Sequence, residues 1–284
     1  MLRWGILSTA KIAREHVIPA HLKARDNCVT TIASRDPARA QVVADQFQIP
    51  NVAANYEALL QSDQVDAVYI PLPTSQHVEW AIHAANAGKH VLVEKPLALK
   101  AEDILAVQAA AKANNIIVAE AFMVHYHPQW KQVSEWLEQG AIGRLRHIQS
   151  AFSYYNRDPS NMRNKPELGG GGIPDIGVYP TVTARMTTGK EPLKVRADVE
   201  IDAPFNAELY GDVKVSLWNQ NHTEVQTVRY GANVNQYQLQ AEAFADAVAS
   251  GDASELFSLD DSIANQKALD AILASNETGT WAEV

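Results

Sequence analysis

Between Leu2 and Ala119 the chain alternates short apolar runs with stretches of helical period, and nothing else in the sequence limits its fold so strongly. The runs are Leu2–Leu7, Cys28–Ala33, Val65–Ile70, Val91–Val93 and Ile116–Ala119. They are short, and several are rich in β-branched residues, as buried strands are. Strands that are apolar along their whole length need cover on both faces. Helices between them make the strands parallel and supply that cover. The first helical pattern has Ile12, Val17 and Ile18 as its apolar positions. Others run over Pro37–Phe47, Gln76–Ala87 and Ala101–Ala113, the second of these stopping at Gly88, a good C-cap residue. The pattern predicts an α/β unit, a doubly wound parallel sheet, over residues 1–121.

The texture changes beyond that point. A helix is predicted over Gln129–Leu137, stopping at Gly140, and a long aromatic-rich strand over Arg144–Tyr155. Four glycines follow at Gly169–Gly172. Asp212–Trp218 and Glu224–Tyr230 alternate as antiparallel strands do. Helices over Gln236–Ala249 and Asp260–Ser275 close the chain. Residues 122–284 read as an α+β domain with a mostly antiparallel sheet. Two domains suit a 284-residue chain at roughly 150 residues per domain.

Composition excludes several partners. The formal net charge is −9 with no long basic run, so nucleic acid and anionic membranes are poor ligands. No apolar segment approaches the ~18 residues of a membrane span, and the N-terminus shows no leader pattern. Cys28 is the only cysteine, which precludes an intrachain disulfide and fits a reducing compartment. These features together predict a cytoplasmic protein.

The first strand-to-helix turn reads Ser8-Thr9-Ala10-Lys11-Ile12-Ala13. It stands where a Rossmann-like unit carries its glycine fingerprint, but Ser or Ala occupies every glycine position. These are the smallest substitutes, so a dinucleotide site and an ordinary βα turn are both open. The second strand ends Ala33-Ser34-Arg35-Asp36. Ser34, Arg35 and Arg39 suit a ribose 2′-phosphate, which favours NADP and leaves NAD possible. Asp36 suits either a ribose hydroxyl or an N-cap before Pro37. The third strand leads into Pro71-Leu72-Pro73-Thr74-Ser75-Gln76-His77, a rigid turn at the sheet edge where a ligand would lie, with Ser75 read as a helix cap.

Glu94-Lys95-Pro96 after the fourth strand, together with Gly169-Gly-Gly-Gly-Ile-Pro-Asp-Ile-Gly-Val-Tyr179, resembles the glucose-fructose oxidoreductase/inositol dehydrogenase (Gfo/Idh/MocA) family. The dihydrodiol, xylose and glucose-fructose oxidoreductase branches look most similar, and the likeness covers nearly the whole chain. It implies a cis Lys95-Pro96 bond that turns the lysine toward substrate and nicotinamide. It further implies Lys95, Asp175 and Tyr179 as the catalytic and substrate-holding group, with Glu94 and Arg163 beside the cofactor. Asp175 and Tyr179 lie four residues apart and would share one face of a helix. A tyrosine flanked by an ammonium is expected to titrate low enough to take a proton from an alcohol. Asp175 would orient and balance the lysine.

The sequence departs from the family's pattern at three places. His125 stands where arginine is common, which makes it a substrate-facing candidate. With His127 it lacks the acid or cysteine of a metal site, so no metal is expected. Asn161-Met162-Arg163 keeps the arginine and loses an aromatic. After Glu200 the chain passes straight into Ile201-Asp-Ala-Pro-Phe205 where relatives carry further strands, so the second sheet should be shorter and any oligomer interface on it altered. The resemblance implies an NADP-preferring oxidoreductase moving hydride between cofactor and an alcohol carbon of a sugar, polyol or vicinal diol. A catalytically silent nucleotide-binding regulator of the same fold is the rival, disfavoured by the retained Lys95, Asp175 and Tyr179.

Overall fold

A computed structural model of the chain describes residues 1–156, 158–195, 213–218, 223–231 and 234–284. Its first half runs β1 (Leu2–Leu7), a π turn at Ala13–Val17, α1 (Ile18–His21), β2 (Asn27–Ala33), α2 (Pro37–Phe47), β3 (Asn51–Ala53) and α3 (Tyr56–Leu60). It continues through β4 (Ala67–Ile70), α4 (His77–Asn86), β5 (His90–Val93), α5 (Ala101–Ala113) and β6 (Val118–Glu120). The strands form one parallel sheet in the order β3-β2-β1-β4-β5-β6. The order reverses between β1 and β4. A crevice for a ligand therefore opens at the C-terminal ends of these strands.

The predicted doubly wound unit is present with one strand more than expected. Asn51–Ala53 is a three-residue edge strand without an apolar run, so periodicity gave no sign of it. The last strand starts at Val118 instead of Ile116 and carries Glu120 to its end, a buried carboxylate within the sheet. Helix α2 starts as its sequence dictates. Asp36 accepts the N–H groups of Ala38 and Arg39 at 3.0 and 3.3 Å, and Pro37 takes the first turn where its missing N–H costs nothing.

The second half contains α6 (Pro128–Glu138), a second π turn at Ile173–Gly177, α7 (Val178–Thr188) and β7 (Lys194–Val195). Then come β8 (Val213–Trp218), β9 (Glu224–Tyr230), α8 (Gln236–Ser250), α9 (Leu259–Thr278) and β10 (Ala282–Glu283). Strands β8 and β9 pair antiparallel, as do β7 and β10, so the sheets described here are two-stranded. Over Arg144–Tyr155, where a strand is expected, the segment forms no ladder with the described residues. Asp212 and the gap expected after Glu200 lie outside the described residues.

Helices α8 and α9 return to the first half. Phe244 of α8 packs 5.1 Å from Trp4 of β1. From α9, Asp270 accepts the Ala101 N–H at the start of α5 (3.0 Å), and Asp260 accepts from Gln108 (2.8 Å). One apolar core thus joins β1, α1, α7, α8 and α9. We propose residues 1–121 and 122–284 as the two units, with the closing helices packed back on the first.

His21 sits in that core fully buried, its ring 4.5 Å from Trp4 and 6.2 Å from Tyr69. Neither ring nitrogen has a hydrogen-bond partner among the described residues. Burial drives its pKa down from 6.5 to about 3. The folded chain therefore keeps His21 neutral while the unfolded chain protonates it below 6.5. Its share of stability is complete above that pH and is lost as pH falls toward 3. His21→Phe removes this dependence. Between pH 7 and pH 5, urea titrations should show the variant gaining about 2 kcal/mol on the wild type, at ~1.4 kcal/mol per pH unit. Parallel curves would contradict the assignment.

Candidate active site

The crevice is built from three strand-end turns. After β1, Ser8 adopts φ 118°, a conformation ordinarily left to glycine. A serine there costs about 1–3 kcal/mol, so the backbone keeps the fingerprint's tight turn although its glycine is gone. Ser8 Oγ accepts the Ala10 N–H at 3.1 Å and donates to Pro71 O at 3.3 Å. The first turn is thereby tied to the one after β4. Thr9 is buried, Ala10 and Ile12 are half-buried, and Lys11 reaches solvent beside Glu15.

The end of β2 lies next to this turn, Ser8 N–H donating to Ala33 O at 2.9 Å. Ser34 Oγ accepts the Asp36 N–H at 3.2 Å. Asp36 is spent on capping α2, while Arg35 and Arg39 are exposed. Of the two roles open to Asp36, the structure uses the cap. An acid turned into its own helix and two exposed guanidinium groups fit a 2′-phosphate better than a bare ribose diol.

After β4, Pro71, Leu72 and Thr74 are buried and Pro73 is half-buried. A short 3₁₀ turn, Thr74–Gln76, precedes α4 without a side-chain cap, so Ser75 does not have the capping role expected of it. His77, expected at the cofactor, is placed among backbone carbonyls in this structure. Its fully enclosed ring spans Pro96 O through Nδ1 and Leu72 O through Nε2, both at 2.8 Å. Burial pushes its pKa down against the pull of these two carbonyls. The ring fastens the Pro71–Thr74 turn to the Lys95-Pro96 turn.

The Lys95-Pro96 bond is cis. Glu94 points back into the core, where Tyr69 Oη donates to its Oε1 at 2.6 Å, and burial raises its pKa. Glu120 accepts the Leu97 N–H at 2.8 Å and so anchors the far side of the turn. Lys95 reaches the other way. Its Nζ donates to the Asp175 carbonyl at 2.5 Å, lies 3.3 Å from Asp175 Oδ1, and stands 4.9 Å over the Tyr179 ring.

Asp175 collects further donors. Arg163 Nε bonds Oδ1 at 2.9 Å and Tyr154 Oη bonds Oδ2. Burial pushes the Asp175 carboxyl upward, but the Lys95 and Arg163 cations and the Tyr154 hydroxyl outweigh it and hold it below the usual range. Arg163 reaches this place because the glycine run lets its loop fold tightly. A Cβ on Gly170 would meet Met162 O at 2.3 Å, and one on Gly169 would meet Thr74 Cβ at 2.8 Å. The second half is thus pressed against the Pro71–Thr74 turn.

Three sequence expectations need correction. Asp175 lies in the π turn and Tyr179 in α7, so their spacing is not that of one α-helical face. Tyr179 does not titrate low: burial holds its pKa well above 10, and its hydroxyl is directed at Met123 Sδ, 3.6 Å away. His125 packs against Tyr126 and Phe257 with Nε2 3.3 Å from Glu255 O, so its contacts run to the α8–α9 connection instead of to Asp175. His127 accepts the Gln129 N–H at 3.2 Å as the cap of α6. Two participants escaped the sequence reading. Tyr154 lay inside a predicted strand, and Glu120 was a lone acid beside an apolar run.

The sequence model described as "Oxidoreductase family, NAD-binding Rossmann fold" matches residues 2–122. The GFO/IDH/MocA C-terminal domain model matches residues 130–244. The uncharacterized oxidoreductase ORF334 of Rhizobium meliloti is 36% identical over 333 aligned positions, covering all of this chain and 99% of that one. D-xylose 1-dehydrogenase (NADP(+)) 2 of Haloferax volcanii is 32% identical and fully covered. Both alignments, of 333 and 328 positions, exceed the 284 residues available here. Among solved structures, the 3-ketoreductase KijD10 of Actinomadura kijaniata, with NADP and TDP-benzene, superposes at TM-score 0.79 and 26% identity, over 96% of this chain and 97% of that one. Tyr→Phe and Lys→Ala variants of it have been solved, and the two positions are as far apart in sequence as Tyr179 and Lys95 here.

Glu120 supplies a test of the turn's electrostatics. Burial raises its pKa to about 7, so the folded chain holds a proton there that the unfolded chain releases above 4.5. This penalises the wild type progressively as pH rises from 4.5 to 7. Glu120→Gln keeps an acceptor for the Leu97 N–H and has no such penalty. From pH 5 to pH 8 it should gain about 2–3 kcal/mol on the wild type in denaturant titrations. A constant difference would contradict the shift. The fold, the Lys95–Asp175 turn and these matches over the whole chain agree: this protein belongs to the Gfo/Idh/MocA oxidoreductase family.

Proposed function

We propose that the protein is an NADP-preferring oxidoreductase that interconverts a ketone and an alcohol on a sugar, polyol or related diol. The observation that carries this reading is the Lys95 ammonium, gripped by the carbonyl and carboxylate of Asp175 and set over Tyr179 at the C-terminal end of the sheet. NADP suits Arg35 and Arg39 beside the Ser34 turn, and Asp36 does not compete for the ribose. The Haloferax and Actinomadura relatives, whose names carry NADP, support the same choice.

When bound, the nicotinamide supplies or accepts the hydride. The chain's own residues handle the oxygen and its proton. Lys95 has donors to spare beyond Asp175 and can bond the reacting oxygen. Tyr179 is kept protonated by burial, which suits it to give a proton to a ketone oxygen. Its bond to Met123 is a weak one, since thioether sulfur is a poor acceptor. Asp175 holds Lys95, with Arg163 and Tyr154 fixing the carboxylate. The variant pair in the ketoreductase, spaced as Lys95 and Tyr179 are, supports giving these two residues the chemistry.

Steady-state assays on a panel of aldoses, keto sugars and diols, with NADPH and NADH titrations alongside, test the proposal. Tyr179→Phe should lower kcat by ~10²–10⁴-fold and leave NADPH affinity unchanged, and Lys95→Ala should cost at least as much. The wild type should bind NADPH more tightly than NADH, and Arg35→Ala should remove most of a preference of about 1.5–3 kcal/mol. Wild-type turnover in Tyr179→Phe would pass the proton to Tyr154. Equal binding of NADH would overturn the cofactor assignment.

A further inference from the structure

We infer that Pro180 is a positioning residue for Lys95, an inference that rests on the reading of Lys95 as the group that meets the substrate oxygen. The argument is a count of main-chain donors where the π turn Ile173–Gly177 hands over to α7. In the π register Val178 N–H bonds Ile173 O, with Ile176 O as a second acceptor. Gly177 is the N-cap of α7, so its carbonyl takes the first α bond, from Thr181. The carbonyls of Pro174 and Asp175 lie between. Only Tyr179 N–H is left for them, because residue 180 is proline and has no N–H.

One carbonyl is therefore left over. Lys95 Nζ is found on Asp175 O, at 2.5 Å, and the same ammonium lies 3.3 Å from Asp175 Oδ1. Proline is cheap in the first turn of a helix because the N–H groups there ordinarily lack partners. Here the π turn continues the helix backward, so an N–H at 180 would find a carbonyl: that of Asp175 in the π register or Ile176 in the α register. The proline withholds that donor. It keeps the Asp175 carbonyl turned outward, where it and the carboxylate of the same residue hold one ammonium at two points.

Pro180→Ala and Pro180→Ser restore the N–H. Taken up by Asp175 O in the register of the π turn, it should draw that carbonyl toward the helix and loosen Lys95, lowering kcat roughly 10- to 100-fold. KM and NADPH affinity should change less than about twofold, because neither substrate nor nucleotide contacts are removed. The thermal midpoint should hold or rise in Pro180→Ala, since alanine is the better helix residue. Lys95→Ala is assayed in parallel. If it abolishes turnover while both Pro180 variants keep wild-type kcat, the positioning role is wrong and the reading of Lys95 stands. If kcat and the midpoint fall in step in both variants, Pro180 is merely structural and the inference is overturned. If Lys95→Ala itself retains turnover, the underlying reading fails and the inference falls with it.

Discussion

The ammonium of Lys95 is held by a residue 80 positions further along the chain. Two independently folded turns must meet for that contact to exist. On one side, Glu94 and Leu97 are tethered by Tyr69 and Glu120, so the turn after β5 can point its lysine in one direction. On the other, a π turn brings Asp175 forward with both of its oxygen-bearing groups toward the lysine. The glycine run and His77 bring the two sides into register. Removing Asp175 would leave the enclosed Lys95 ammonium without its carboxylate, which is far more costly than the pair is stabilising.

Around this contact burial sorts the charges. Glu94 and Glu120 are pushed toward their neutral forms, His21 is kept neutral, and Tyr179 keeps its proton. Asp175 alone among these enclosed acids is held as an anion, by two cations and a phenol. The crevice then presents ammonium and guanidinium groups anchored by one carboxylate, beside a buried phenol. That arrangement suits an oxygen gaining negative charge as a carbonyl is reduced. It also explains how the turn after β1 functions without glycine: Ser8 accepts the strained backbone and its hydroxyl ties the turn to Pro71.

The parallel sheet was legible because most of its strands are short and mainly apolar and alternate with stretches of helical period. Lys95 and Asp175 were legible because two motifs bracket them. What escaped had no local signal. Asn51–Ala53 is too short to stand out. Arg144–Tyr155 alternates like a strand but forms no ladder with the described residues, and pairing is a tertiary fact that the segment itself does not encode. His77 and His125 are the sharper lessons: each sits at a place where a ligand contact was reasonable, yet both ring nitrogens of His77 are used on the backbone and His125 packs under the α8–α9 connection. The pKa of Tyr179 was misjudged because a nearby ammonium was weighed and enclosure was not, and burial dominates there.

The central claim is that Lys95 and Asp175 act as one unit, and a double-mutant cycle measures this directly. Single-turnover reduction rates are compared for the wild type, Lys95→Met, Asp175→Asn and the double variant, each saturated with NADPH. If Asp175 works by holding Lys95, the double variant should be little slower than Lys95→Met alone, and the two effects will be strongly non-additive. Rate losses that multiply, each substitution costing the same whether or not the other is present, would contradict the account.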